Sequence, residues 1–253
     1  ELQVMEFRLR VWRQAGPDAP GGFEEYQARD VKEDMSILEV LDQVNQDLAK
    51  EGRDPIAFES DCREGICGVC GLVIEGVPHG ELKKATTCEL RMRHFRDGQT
   101  ITIEPYRAGA MPVIKDLMVD RTALDHLIQS GGYISTRIGS SPEANATPVA
   151  KQDQEEAMDA AECIGCGACV AACPNGSAML FIGAKVSHLA KMPQGRPEAA
   201  SRVKAMTERM QELGFGNCSN HYECQAVCPK DIDVKFIARM NREFIKSLFK
   251  KTG

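Results

Sequence analysis

The stretch Cys163-Ile164-Gly165-Cys166-Gly167-Ala168-Cys169-Val170-Ala171-Ala172-Cys173-Pro174 decides how the second half of the chain is read. Its spacing, C-x2-C-x2-C-x3-C-P, is that of a cubane iron–sulfur site. Three thiolates from one tight turn hold three irons, and the x3 step carries Cys173 away along a helix. In chains with two such clusters the fourth Cys of the run serves the other cluster. Pro174 ends the run.

Working outward, the run has a near-repeat at an offset of 55: Cys218, Cys224, Cys228 and Pro229 match Cys163, Cys169, Cys173 and Pro174. The position matching Cys166 is His221. The crossing rule then groups Cys163, Cys166, Cys169 and Cys228 around a [4Fe–4S] cluster. Cys173, Cys218 and Cys224 are left for a cluster with three protein thiolates, and the simplest reading is [3Fe–4S]. Two alternatives stand beside it. His221 ligates a fourth iron, or a cubane keeps one open iron; His221 also suits a plain pocket-lining role.

Upstream, Cys62-x4-Cys67-x2-Cys70, followed by Cys88, has the plant-type spacing of a [2Fe–2S] site. Gly65, Gly68 and Gly71 let the loop turn backbone N–H groups toward sulfur at close range. Zinc, the alternative, favours two short-spaced pairs on separate knuckles. The three groups use all 11 cysteines. The N-terminal Glu1-Leu2-Gln3-Val4 lacks the basic and apolar regions of a signal peptide, so reduced thiols and metal are expected rather than disulfides.

The 74 residues between Cys88 and Cys163 contain no Cys, which predicts a domain boundary. Met5, Phe7, Leu9 and Val11 alternate with charged residues as in a half-buried strand. Phe23–Ala28 returns as a second strand after the turn-rich Gly16–Gly22. Ser36 caps a helix carrying Ile37, Val40, Leu41, Val44 and Leu48. Gly71–Gly76 and Thr100–Pro105 read as further strands. Strands around one helix predict a β-grasp domain over residues 1–106. Residues 107–253 read as mostly helical, with helices at Val113–Ile128, Pro197–Leu213 and Asp233–Phe249, a surface loop at Ser140–Lys151, and Cys-rich turns between helices. The fold class is α+β.

The formal charge of -6 argues against a nucleic-acid partner. No apolar run approaches the roughly 20 residues that span a bilayer. No Gly-x-Gly-x-x-Gly fingerprint or nucleophile elbow is present, and His79, His94, His126 and His188 are scattered without partners, so no catalytic residue is assigned. Three clusters in series read as an electron wire between a donor and an acceptor on other subunits. The basic Lys246, Lys250 and Lys251 suit either a helix end or an anionic membrane surface.

The order of these groups resembles the iron–sulfur subunit of succinate dehydrogenase and fumarate reductase. The similarity covers nearly the whole chain and includes Ser60-Asp61-Cys62-Arg63-Glu64-Gly65-Ile66-Cys67-Gly68 and Cys228-Pro229-Lys230. The resemblance implies an N-terminal β-grasp ferredoxin domain and a helical ferredoxin domain. It implies a flavoprotein partner with covalent FAD, where succinate and fumarate interconvert. It further implies membrane-anchor subunits, of a kind that can carry haem b, where quinone reacts. Succinate dehydrogenase (quinone), EC 1.3.5.1, is the leading activity. Quinol:fumarate reductase, another Fe–S reductase and a soluble ferredoxin-like carrier are the alternatives. The implied location is peripheral, on the cytoplasmic face of a bacterial plasma membrane. Ubiquinone-reducing members carry Trp at the positions of Ser177 and Ala178, whereas the single Trp here is Trp12. The chain therefore looks more like menaquinone-using members. Pro174, Ser177 and His221 are the candidate residues near the quinone headgroup.

Overall fold

A computed structural model describes residues 4–135 and 149–249. The first half is a mixed sheet crossed by one helix. Strand β1 (Val4–Arg13) pairs antiparallel with β2 (Gly22–Lys32), and helix α1 (Ile37–Lys50) follows. Strands β3 (Val73–Ile74) and β4 (Val77–Pro78) form a short hairpin, and β5 (Thr100–Glu104) returns parallel to β1. The sheet order is β2-β1-β5-β3-β4. The alternation read in β1 is real: Met5, Phe7, Leu9 and Val11 are buried in one core with Leu38, Leu41, Val44 and Leu48 of α1. Residues Glu75 and Gly76, read from sequence as part of one strand, instead make the hairpin turn. Their φ values of 51° and 80° fit a tight two-residue connection.

Ser36 caps α1 reciprocally. Its hydroxyl accepts the Glu39 N–H at 3.3 Å, and the Glu39 carboxylate accepts the Ser36 N–H at 2.6 Å. That N–H bond is the main reason the Glu39 carboxyl lies below its ordinary range. The same end of α1 is stitched to the segment after Cys88: Ile37 N–H donates to Leu90 O, and Met92 N–H to Met35 O.

The expected helix over Val113–Ile128 is corrected. Residues 113–119 form a hairpin, β6 (Val113–Lys115) and β7 (Met118–Val119), and only then does α2 (Thr122–Gly131) begin. The cause is Asp116, 1% exposed and at φ 47°. Its carboxylate accepts the Gln14 and Ala57 N–H groups, both at 2.9 Å, and lies 3.1 Å from Arg13 Nε. These bonds pin the hairpin to the end of β1, where a helix would leave them unmade. The Asp120 carboxylate then accepts the Thr122 N–H at 2.8 Å and opens α2.

The second half is helical: α3 (Lys151–Ala161), α4 (Ala168–Ala172), α5 (Met179–Lys191), α6 (Ala199–Glu212), α7 (Glu223–Ala226) and α8 (Lys235–Leu248). Three of these, α3, α5 and the short α7, were not read from the sequence. Helix α5 is buried nearly all round, with α3, α6 and α8 packed against it, so it lacks the one-sided periodicity that marks a surface helix. The expected loop at Ser140–Lys151 lies mostly outside the described residues, and Lys151 already begins α3. No helix among the described residues is long and apolar enough to cross a membrane.

Arg202 on α6 is 3% exposed. It donates to Gly131 O at 2.8 Å, Gly195 O at 2.8 Å and Tyr133 O at 3.0 Å, and pairs with Glu198. One side chain thus satisfies carbonyls at the ends of two neighbouring segments. Arg202→Met is expected to cost about 3 kcal/mol, because it leaves buried acceptors unpaired. Calorimetry of the loaded protein would show a lower unfolding temperature for the helical half; an unchanged midpoint would mean that water replaces the guanidinium.

Candidate iron–sulfur centres

Cys62, Cys67 and Cys70 of the first set sit on an irregular loop between α1 and β3, and Cys88 sits on a short turn after β4. Positive φ at Arg63 (55°), Gly65 (71°) and Gly68 (73°) coils this loop. The coil aims backbone donors at sulfur: Glu64 N–H reaches Cys62 Sγ at 3.4 Å, and Val69 N–H reaches Cys67 Sγ at 3.5 Å. The Glu64 and Ile66 amides pull the Cys62 thiol down to about 7. Cys70 and Cys88 lie in the core, each 3% exposed, and burial pushes Cys70 up to about 12. Thr86 Oγ1 lies 3.0 Å from Cys88 Sγ. Arg63 anchors the loop to Asp42 of α1 at 2.6 Å. Gly65 suits its φ of 71°, where an L side chain is strained, and an added Cβ would face the Glu89 carboxylate at 2.5 Å.

The second set is Cys163, Cys166, Cys169 and Cys228. These four line one pocket with Leu180, Phe181 and Ile232. Gly165 (φ 66°) and Gly167 (φ 84°) shape the turn, and Gly167 opens α4. Ile232 N–H donates to Cys228 Sγ at 3.4 Å. Burial raises the Cys163 thiol and pushes Cys166 up to about 12.

The third set is Cys173, Cys218 and Cys224, which line a cavity of about 350 Å³ with Ser177, His221 and Tyr222. Asn220 (φ 58°) and Tyr222 (φ 66°) coil this loop much as glycines coil the second, and Asn220 N–H donates to Cys218 Sγ at 3.4 Å. The Asn175 amide ties the two turns together, donating to Asn217 O at 2.8 Å and Ser219 Oγ at 2.7 Å.

Cys228 lines the pocket of Cys163, Cys166 and Cys169, and Cys173 lines the cavity of Cys218 and Cys224. Of the three candidate quinone-side residues, Ser177 and His221 line the third cavity. Ser177 is 5% exposed, and its hydroxyl accepts the Met179 N–H at the start of α5. Pro174 is exposed and is not among the residues lining that cavity.

The residues fit clusters on their donor chemistry. Every donor is sulfur, and the sulfurs ring spaces. Among the described residues no group of three or more His, Cys, Asp or Glu is placed to hold a single metal ion. Thiols raised by burial ionise only beside strong positive charge, which ferric ions supply.

Sequence reasoning missed what joins the first two sets. A Cβ on Gly68 would stand 2.5 Å from Ile164 O and 3.0 Å from the Cys166 N–H nitrogen. Arg121 donates to the Gly68 carbonyl beside this contact. Tyr106 and His79, both buried, are hydrogen-bonded at 3.1 Å nearby. Only glycine at 68 hinted at the approach, and it was read as loop geometry.

The fold and these sets define a two-part iron–sulfur electron carrier. Residues 8–126 match the family described as 2Fe-2S iron-sulfur cluster binding domain, and residues 162–232 the 4Fe-4S dicluster domain. The chain is 31% identical over 236 residues to a mitochondrial succinate dehydrogenase [ubiquinone] iron-sulfur subunit 2 of Oryza sativa subsp. japonica, covering 91% of this chain and 71% of the relative. It is 32% identical over 211 residues to the fumarate reductase iron-sulfur subunit of Escherichia coli O6:H1, covering 78% and 76%. A chain of the Mycobacterium smegmatis Sdh1 complex in the apo form shares the fold, with a TM-score of 0.69 at 20% identity over 99% of this chain and 100% of that one. The chain belongs to the family of iron–sulfur subunits of succinate dehydrogenases and fumarate reductases, with an electron-transfer role.

Gly68→Ala is expected to lower second-centre content, because the added methyl meets the Ile164 carbonyl. Gly98→Ala shares the positive φ, 75°, but has open space around it and should load normally. Iron and acid-labile sulfide assays with low-temperature EPR of both variants check this; equal loading would mean that the loops part without harm.

Proposed function

We propose that the chain is the electron-carrying subunit of a succinate:quinone oxidoreductase, the activity of EC 1.3.5.1. It takes electrons from the covalent FAD of a flavoprotein subunit and delivers them to quinone, menaquinone in this reading, at a membrane anchor. The ligand sets are Cys62, Cys67, Cys70 and Cys88 for [2Fe–2S]; Cys163, Cys166, Cys169 and Cys228 for [4Fe–4S]; and Cys173, Cys218 and Cys224 for [3Fe–4S]. The observation that carries the reading is the exchange of Cys173 and Cys228 between two repeated turns, with His221 where the fourth thiolate of the third set would stand. The domains are residues 1–106 and 107–253. The chain sits peripherally on the cytoplasmic face of a bacterial plasma membrane, beside an anchor of the kind that can carry haem b.

When bound, the clusters supply one-electron carriers in series. The chain's own residues set their surroundings. Backbone amides of Glu64, Val69, Asn220 and Ile232 donate to the ligand sulfurs and stabilise negative charge there. Leu180, Phe181 and Ile232 keep water from the second set. Both ends are open: Ile66 beside Cys67 is 60% exposed, and Tyr222 beside the third cavity is 58% exposed. Exposed apolar groups at both ends suit docking of a donor at one and an acceptor at the other. Trp12 lies in the sheet half, against Phe23 and under Arg107, which leaves the third cavity without tryptophan and supports the menaquinone reading. Lys246 pairs with Glu243 at 3.3 Å, which favours a helix-end role for it; Lys250 and Lys251 lie outside the described residues. The fumarate reductase direction is the second reading, favoured by the 32% identity to that subunit.

The test is EPR of the intact, anaerobically purified complex. Cys228→Ser should deplete the [4Fe–4S] signal and Cys173→Ser the oxidised [3Fe–4S] signal. The opposite pattern would sink the crossed assignment. His221→Cys is expected to supply a fourth thiolate, remove the oxidised [3Fe–4S] signal and raise the iron count by one; an unchanged signal would place residue 221 out of ligand range. Absence of a co-purifying flavoprotein with succinate-dependent activity would favour an independent carrier.

A further inference from the structure

The short turn that carries Cys88 begins with a hydroxyl against the ligand sulfur. Thr86 precedes the turn Thr87–Glu89 with an extended backbone, φ -91° and ψ 166°. Thr86 is 0% exposed and Cys88 3%. The Thr86 hydroxyl oxygen lies 3.0 Å from Cys88 Sγ. Elsewhere in the first set sulfur meets backbone amides, Glu64 N–H at Cys62 and Val69 N–H at Cys67. At Cys88 the polar contact is a side chain. A substitution can therefore remove it and leave the chain path in place.

The hydroxyl has one proton and two neighbours that accept it. Cys88 Sγ is one, and Glu89 Oε2, also at 3.0 Å, is the other. Three observations favour sulfur. A cysteine that binds metal has lost its own proton, so its sulfur only accepts. The close oxygen–sulfur contact is then attractive only with the Thr86 proton between the two atoms. Glu89 Oε2 already receives the Thr86 N–H at 3.0 Å. Glu89 is also exposed, so water completes its carboxylate, whereas Cys88 is shut away from water. The Glu89 carboxylate lies over Gly65 of the loop that bears Cys62 and Cys67, where an added Cβ would meet it at 2.5 Å. Thr86 is thus held between Glu89 on its outer side and Cys88 on its inner side. A donor to ligand sulfur stabilises the more negative, reduced state, and burial strengthens the effect.

We propose that the Thr86 hydroxyl donates to the Cys88 sulfur and raises the reduction potential of the first centre. The proton stays on Thr86 in both oxidation states, so the centre exchanges one electron and no proton through this bond. This rests on the reading that Cys62, Cys67, Cys70 and Cys88 hold [2Fe–2S].

The experiment is a redox titration of the intact complex followed by low-temperature EPR. It compares the unsubstituted protein with Thr86→Val, which keeps the branched shape and the backbone N–H, and with Thr86→Ser, which keeps the hydroxyl. The expected result for Thr86→Val is that all three signals remain. Its first-centre midpoint becomes more negative by a shift that changes the reduced-to-oxidised ratio about tenfold, or about 59 mV for one electron. The second and third midpoints stay in place, and Thr86→Ser keeps the unsubstituted first midpoint. A loaded Thr86→Val with an unchanged midpoint overturns the inference. So does a Thr86→Ser shift as large as that of Thr86→Val, which would assign the effect to packing. If Thr86→Val fails to load, Thr86→Ala, which only removes atoms, is titrated for the same shift. Failure of both to load assigns the hydroxyl to assembly and overturns the inference. Absence of a reduced [2Fe–2S] signal from the unsubstituted protein overturns the cluster reading, and the inference with it.

Discussion

Cys228 belongs by sequence to the last cysteine group and by position to the middle one, and this exchange constrains everything packed around it. The two repeated turns must stand close enough for each to reach into the other's sulfur set. Asn175 ties them through Asn217 and Ser219, and α5 passes between them and the outer helices. Gly183 on α5 shows how tight this is: a Cβ there would stand 3.1 Å from Phe236 O at the start of α8. The bundle thus closes around pockets that each draw a cysteine from the other turn. A helix so enclosed is buried on nearly every side, as α5 is.

A second constraint joins the halves. Electron transfer between centres needs short separations through packed protein, and here the first and second loops meet backbone to backbone at Gly68 and Ile164. Around that contact the chain places groups from distant segments: Arg121 on the Gly68 carbonyl, Tyr106 over Gly71, and Asp116 holding the connecting hairpin to β1. The segment after Tyr106 serves both cores. Leu117 packs with the sheet, whereas Met111, Val119 and Leu124 pack with the helices. The Lys84–Asp231 ion pair at 2.7 Å also crosses between the halves, but both side chains are exposed and such a pair adds little. The rigid joint is the buried one.

Burial is graded along the same line. The middle set lies under Leu180, Phe181 and Ile232, while the outer sets open near Ile66 and Tyr222. A dry middle protects reduced centres from solvent, and exposed ends let partners approach. This gradient agrees with an electron conduit whose chemistry at either end belongs to other chains.

Much of this was legible in the residues themselves. Cluster ligands are few and irreplaceable, so their spacing survives as a pattern, down to the exchange of Cys173 and Cys228 and the His at 221. The β1 alternation and the Ser36 cap were equally plain, because strand faces and helix ends follow local rules. Long-range contacts left no such trace. Val113–Ile128 carries enough apolar residues to pass for a helix, and only Gln14, Ala57 and Arg13 converging on Asp116 make it a hairpin. Helix α5 hid because enclosure left it without a one-sided apolar stripe. His79 looked like one scattered histidine among several until folding set it between Thr87 and Tyr106. By itself the sequence determined which residues carry sulfur donors and how they are spaced, because thiolate chemistry depends on side-chain identity and short spacing. Tertiary structure alone decided how the sulfur sets face one another, because that depends on hydrogen bonds and close approaches between residues far apart in the chain.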